Sequence, residues 1–372
     1  MTVTPYEALV ESASRLVNAD ALDEFDTHNI SDAASLVEQN RPVFESARHF
    51  LSQQCRVPLR YEKEFFADHS DDCSQLRKLA RALRAEAILA ASRGEYSTAA
   101  VTGVDILELA NAMRRGGLVV DSLISIAISG IALESLRKLR GNLDEVTRVT
   151  LRDSLRRLEH EREPFAEIYA RDQAWERTVG WEDAPCDHAE PELRNPEECG
   201  LSEDEQRAIF SMIQEFGELP DSEQRALQED QDRHILALMR MLRVDLALRS
   251  WHAQTHSYPS SLALLVPEHL LEVPDDPFTG NPFIYRPVEG GTFLLYSPGP
   301  KRTDLGGAFG PWPAVAAGAA DLGLDENDYW DTWQGCCAAA ERRGELFRML
   351  SKLRTWWRAW RPWIAKRRSR CE

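Results

Sequence analysis

Few residues in this chain have the types and spacing that could do chemistry. Trp251-His252-Ala253-Gln254-Thr255-His256 places two imidazoles four residues apart, on one helix face, a spacing able to hold zinc. No third ligand lies nearby in sequence and there is no His-Glu-x-x-His, so the pair reads as a solvated helix end. Ser135-Leu136-Arg137-Lys138 fits serine-x-x-lysine, but it falls on an amphipathic helix without the companion motifs of that chemistry. Asp187-His188 sits in an acidic stretch where carboxylate–histidine neighbours arise from composition alone. The phosphate-cradling G-x-x-x-x-G-K-[ST], the dinucleotide G-x-G-x-x-G and the nucleophile elbow G-x-S-x-G are all absent. The carboxylates fall in no recognisable paired frame. A non-catalytic chain is expected, with no cofactor and no resident metal.

Charge and cysteine content narrow the partners. The net charge of -17 opposes whole-protein binding to nucleic acid. It is unevenly spread: residues 341–372 carry eleven Lys and Arg against three Glu, whereas Glu182–Asp232 carries seventeen acids against three Arg. An acidic middle and a basic end are able to attract each other. Seven cysteines, at 55, 73, 186, 199, 336, 337 and 371, are scattered, odd in number and without C-x-x-C, which reads as reduced structural thiols.

The elements that must position any site are mostly helices. Leu76, Leu79, Leu83, Ala87 and Ala90 follow a 3.6-residue period, as do Ala99, Gly103, Ile106, Ala110 and Met113. Gly94-Glu95-Tyr96 separates those two helices and Gly116-Gly117 ends the second. A third runs through Leu123, Ile124, Ile128 and Ile131, and a fourth carries Leu151, Leu155 and Leu158 after a break at Gly141-Asn142. Successive helices with short breaks predict a bundle or short helical-repeat stack. The apolar run Leu118–Leu133 contains Asp121 and three serines and falls short of the ~20 residues of a span, so it reads as a buried helix. The first residues, Met1-Thr2-Val3-Thr4-Pro5-Tyr6-Glu7, lack a signal-peptide pattern. The expected location is therefore cytoplasmic or peripheral at a membrane.

Beyond an acidic, Pro-containing linker a different texture begins. Pro220-Asp221-Ser222 offers a helix start, and Ile235, Leu238, Met239, Leu242 and Leu246 share one face of a long helix ending near His256. Then come Tyr258-Pro259, a second helix starting at Ser261–Val266, and the loop Asp276-Pro277-Phe278-Thr279-Gly280-Asn281-Pro282-Phe283. Phe283–Arg286 and Thr292–Tyr296 read as short strands joined through Glu289-Gly290-Gly291, before Tyr296-Ser297-Pro298-Gly299. Prolines fix φ in a loop that folds back over the helix, and aromatics supply packing area in a small unit.

In this order, residues 236–307 resemble the soluble module of type II secretion major pseudopilins. The resemblance implies a framework of Tyr258, Pro259, Asp276, Pro277, Gly280, Asn281, Pro282, Tyr285, Tyr296, Ser297 and Gly299, and a role in assembly. It also implies a calcium loop, but the matching positions are Leu294 and Lys301, which offer no hard oxygen ligand. Where the family has a membrane-inserting helix, this chain has nearly two hundred largely helical residues, so polymerisation in the family's manner is not expected.

The basic end is a further candidate site. Leu346, Leu350, Leu353, Trp357, Trp360 and Ile364 form one helical stripe, widened by Trp356 and Trp363, with Arg348, Lys352, Arg354 and Arg358 on other faces. Such a helix suits an anionic membrane surface or an acidic protein surface. The fold class expected is mainly α with a small α+β module. The domain plan is a helical unit (1–178), an acidic linker (179–204), a long helix with the pseudopilin-like module (205–307), a Gly/Ala-rich and acidic connector (308–340) and a basic Trp-rich tail (341–372). The expected function is protein interaction and assembly through a partner not identified from sequence, with membrane anchoring by the tail as the alternative and an enzyme with a site in the helical unit ranked last.

Overall fold

A computed structural model describes residues 3–18, 30–180, 219–288, 290–310 and 312–325. The architecture is mainly helical with a small antiparallel sheet near its end, as the periodicities predict. The bundle comprises α1 (Pro5–Ser14), α2 (Ile30–Leu51), α3 (Phe65–Ser92), α4 (Tyr96–Arg114), α5 (Val119–Leu139), α6 (Glu145–Glu161) and α7 (Phe165–Val179). The long α8 (Asp221–Thr255) follows. A 3-10 turn at Leu262–Leu265 leads to β1 (Ile284–Val288), β2 (Thr292–Ser297), α9 (Trp312–Ala317) and β3 (Leu322–Gly323).

Local chemistry sets the helix ends. Thr4 and Glu7 form a reciprocal capping box on α1, with Pro5 in the first turn. Asp144 caps α6 by accepting from Thr147 N at 2.7 Å. Gly180, at φ +61°, ends α7 in the left-handed conformation that glycine adopts without a Cβ penalty. α4 packs against both α3 and α5, which also touch each other. A Cβ on Gly103 of α4 would lie 2.6 Å from Leu136 Cδ2 of α5, so the missing side chain permits that close crossing. α5 is long and apolar enough to cross a membrane, but 78% of its most apolar stretch is buried inside the protein, where it acts as the bundle's core helix.

α8 belongs to both parts of the molecule. It packs on α5 and α6 and also against β2 and the 3-10 turn, and one continuous apolar core runs from Tyr6 to Leu324. Polar groups fasten it. Arg114 of α4, fully buried, donates to Asp232 Oδ1 at 2.6 Å, to Ser122 Oγ at 2.9 Å and to the Glu163 carbonyl at 2.6 Å. Arg162 reaches the same Asp232 oxygen at 2.7 Å. Burial would raise the Asp232 carboxyl, but the guanidiniums of Arg162 and Arg114 reverse this and hold it below the usual carboxylate range. Burial pushes the Arg114 guanidinium down to about 10.

Two expectations are corrected. The second helix expected from Ser261 is a single 3-10 turn, Leu262–Leu265, because Pro267 follows and withholds the amide a longer helix needs. Among the described residues, the module helix begins at Asp221 after Pro220, the helix start read from the sequence. The module does not close at 307: β3 pairs antiparallel with β2 through Tyr296↔Gly323 and Ser297↔Leu322, and α9 covers the core with Trp312 and Val315. Part of the expected connector is thus structural, its short apolar runs being buried against β2 and α8. The hairpin agrees with expectation, with β1 and β2 in register from Ile284↔Tyr296 to Val288↔Thr292.

Candidate functional site

Sequence reasoning singled out the module loop, and the structure gathers much of it around Asp276. This residue is 1% exposed. Its carboxylate accepts from Phe278 N at 2.9 Å, from Ser297 Oγ at 2.9 Å and from Thr279 Oγ1 at 3.3 Å. Ser297 Oγ in turn accepts from Gly299 N at 3.0 Å. The Asp-Pro and serine-x-glycine elements are therefore joined. Burial raises the Asp276 carboxyl above its usual range, with these hydrogen bonds and Arg240 opposing. Tyr258 stacks on His252 and meets Phe293 edge-on, with centroids 4.6 and 4.8 Å apart. Pro259 accepts at its carbonyl from Tyr285 Oη at 2.8 Å. Gly280 takes φ +70°, while Asn281 and Pro282 are exposed and Pro277 is half-buried.

Of the positions matched to the family's calcium loop, Leu294 is half-buried and Lys301 is exposed. Leu294 lies on β2 opposite Arg286, and the Lys301 stem lies close over Gly318. Carboxylates hold the loop after β2. Asp304 accepts from Tyr296 Oη at 2.8 Å and Gly306 N at 2.7 Å, and the buried Asp321 accepts from Gly307 N at 2.8 Å. His252 stacks on Tyr258, and His256 caps α8 at φ +57°, outside the regular helical geometry that the i, i+4 spacing assumes. The tail positions Leu346, Leu350, Leu353, Trp356, Trp357, Trp360 and Trp363 lie outside the described residues, as does Asp187-His188.

A second site escaped the sequence reading. His69 and Cys73, four apart on α3, face Asp121 in the first turn of α5. His69 Nε2 lies 2.6 Å from Asp121 Oδ1, and Cys73 Sγ lies 3.5 Å from both. Exposures are 2%, 0% and 0% for His69, Cys73 and Asp121. Asp121 also caps its own helix, with Oδ2 accepting from Leu118 N at 2.6 Å. Gly117 makes room for this, because a Cβ there would meet the Asp121 side chain at 2.6 Å. Phe65 stacks on the imidazole at 4.9 Å, and the tilted ring of Tyr6 from α1 lies 6.1 Å away.

The electrostatics of this cluster follow from burial and proximity. Burial would lower the His69 imidazole, but Cys73 and Asp121 beside Nε2 hold it well above its ordinary value. Asp121 is the operative partner near neutrality, since burial pushes the Cys73 thiol up to about 11 and keeps it uncharged. Cys73 and Asp121 converge on the same ring nitrogen, so the His69 ring does not stand between thiol and carboxylate as in a nucleophile–base–orienter relay. Only the i, i+4 spacing of His69 and Cys73 was readable in the sequence; the carboxylate comes from a helix 52 positions away.

No protein-family model, curated protein or solved structure matches this chain.

Proposed function

We propose that this chain is a non-catalytic interaction and assembly protein whose pseudopilin-like module is carried on a helical bundle. The supporting observation is the shared α8, which packs on α5 and α6 along one part and on the module along another. Such a helix holds a small recognition unit in fixed orientation on a large base. The module's Leu271 and Val288 are 65% and 41% exposed, and β1 is an edge strand whose backbone faces no further strand among the described residues. Catalysis at the His69–Cys73–Asp121 group is disfavoured because all three residues are buried from solvent.

Site-specific photo-crosslinking in cells producing the full chain tests this reading. Probes at Leu271 and Val288 are expected to give discrete heterologous adducts, whereas a probe at Val146, 76% exposed on the bundle, is not. Adducts at Val146 alone, or none at the module positions, would overturn it.

The tail supports a second reading, attachment to an anionic membrane surface. Its indoles and basic residues have the composition of an interfacial helix. Flotation with phosphatidylglycerol vesicles, comparing the full chain with a variant carrying alanine at Trp356, Trp357, Trp360 and Trp363, separates the two readings. Binding lost in the variant supports the membrane; equal partitioning removes it.

A further inference from the structure

We propose that His69, Cys73 and Asp121 form a binding site for a zinc-class divalent metal ion, a structural centre that ties α3 and α5 together. The donor set is imidazole nitrogen, thiolate sulfur and carboxylate oxygen, the combination such ions take in proteins. All three donor atoms lie within 4.8 Å of one another.

The distances suit a tetrahedral centre. With metal–sulfur and metal–nitrogen bonds of about 2.3 and about 2.0 Å, adjacent donors in a tetrahedron are about 3.5 Å apart. Cys73 Sγ stands 3.5 Å from His69 Nε2 and 3.5 Å from Asp121 Oδ1. The remaining edge, between Nε2 and Oδ1, is a 2.6 Å hydrogen bond and opens by about 0.7 Å around an ion. On binding, the Cys73 thiol proton and the Nε2 proton leave to solvent, and two metal–ligand bonds replace the hydrogen bond.

Two independent observations around the donors point the same way. The Tyr6 hydroxyl is fully buried and has no hydrogen-bond partner among the described residues, although an unpaired buried hydroxyl costs stability. Its ring lies 6.1 Å from the imidazole of His69, centroid to centroid, so an unsatisfied polar side chain borders the cluster. On the far side of the imidazole, Nδ1 lies 3.5 Å from Asp72 Oδ2. Nδ1 makes no hydrogen bond among the described residues, and Asp72 is the carboxylate that a small rotation of the ring on metal binding would bring into the outer-shell position of histidine-bound metals. Phe65 and Tyr6 lie beside the ring and exclude water.

The test uses the full chain, reduced and freed of metal by a chelator. Titration with Co²⁺ is expected to develop a thiolate-to-cobalt charge-transfer band saturating at one ion per chain, and stoichiometric Zn²⁺ bleaches it. Zn²⁺ also raises Tm by several degrees, since an ion that binds only the folded form stabilises it by mass action. A variant with serine at Cys186, Cys199, Cys336, Cys337 and Cys371 keeps the band, and Cys73→Ala abolishes it with the helical circular dichroism unchanged. Absence of the band and of any Tm change in the wild-type chain overturns the proposal and leaves a buried hydrogen-bond network. Loss of the band in the five-serine variant also overturns it, because the thiolate then lies elsewhere. The wild-type titration decides the matter even if Cys73→Ala fails to fold.

Discussion

The Asp276 carboxylate accepts a hydrogen bond from Ser297 Oγ at 2.9 Å across 21 residues of chain, with both residues buried. The bond clamps the proline-rich loop onto the end of β2 and so ties the two halves of the module. The same carboxylate holds the loop's own turn through Phe278 N and Thr279 Oγ1. Asp276→Ala is expected to cost about 2–4 kcal/mol, because it strands several buried donors. In a double-mutant cycle, Asp276→Asn and Ser297→Ala are expected to couple by about 1 kcal/mol in urea unfolding of the full chain. Strictly additive costs would mean that the pair shares no interaction.

Gly299 and Gly280 both have positive φ, at +68° and +70°, but their surroundings differ. A Cβ on Gly299 would lie 2.7 Å from Val315 Cγ1, whereas a Cβ on Gly280 would meet nothing within 4 Å. Gly280→Ala should therefore cost only the backbone strain, about 1 kcal/mol. Gly299→Ala should cost about 1–3 kcal/mol more, since α9 must shift to admit the methyl group. Equal costs in thermal or denaturant unfolding would show that α9 yields freely.

Acid should loosen the seat of α8. Arg162 and Arg114 hold the folded-state value of Asp232 below the usual carboxylate range, against the opposing effect of burial. A depressed folded value means that the stabilisation is complete above the unfolded value near 4 and is lost as pH falls through the folded one. Stability measured by urea unfolding should thus decline below about pH 5. Asp232→Asn should flatten that part of the decline, and at neutral pH should cost about 3–5 kcal/mol by leaving Arg114 buried and unbalanced. An unchanged acid slope in the variant would place the acid sensitivity elsewhere. Asp276, whose folded value is raised by burial, contributes the opposite slope and does not account for the decline.

Trp312 of α9 stacks on His234 of α8 with centroids 4.1 Å apart and planes 3° from parallel. It is the largest apolar anchor of the segment beyond 307 and is 6% exposed. Trp312→Ala is expected to destabilise by about 3–5 kcal/mol. It should also make the chain after Pro300 protease-sensitive at concentrations that leave the wild-type chain intact. A variant as stable as the wild type would return residues 308–325 to the status of a connector.

The local elements were legible because they depend on near neighbours. The 3.6-residue spacing of Leu76 through Ala90 and of Ala99 through Met113 marked α3 and α4, Gly94 their break, and Glu289-Gly290-Gly291 the hairpin. β3 was not legible, since two residues beside a Gly/Ala-rich stretch carry no alternation, and their pairing with Ser297 and Tyr296 is settled by what β2 leaves open. The linker and the Trp-rich tail fall largely outside the described residues, so composition alone speaks for them.

The sequence by itself determined the mainly helical class, the small antiparallel hairpin and the resemblance of its order of prolines, glycines and aromatics to a pseudopilin module. Periodicity and turn chemistry act over a few residues, and those signals survive without a partner. Only the tertiary structure decided that α8 lies in the bundle's core, and that Asp121 Oδ1 meets His69 Nε2 at 2.6 Å beside Cys73. Which faces of two helices meet depends on their crossing, and that is set by the packing of many side chains at once. The spacing of His69 and Cys73 therefore became a candidate metal site only when α5 brought its carboxylate against them.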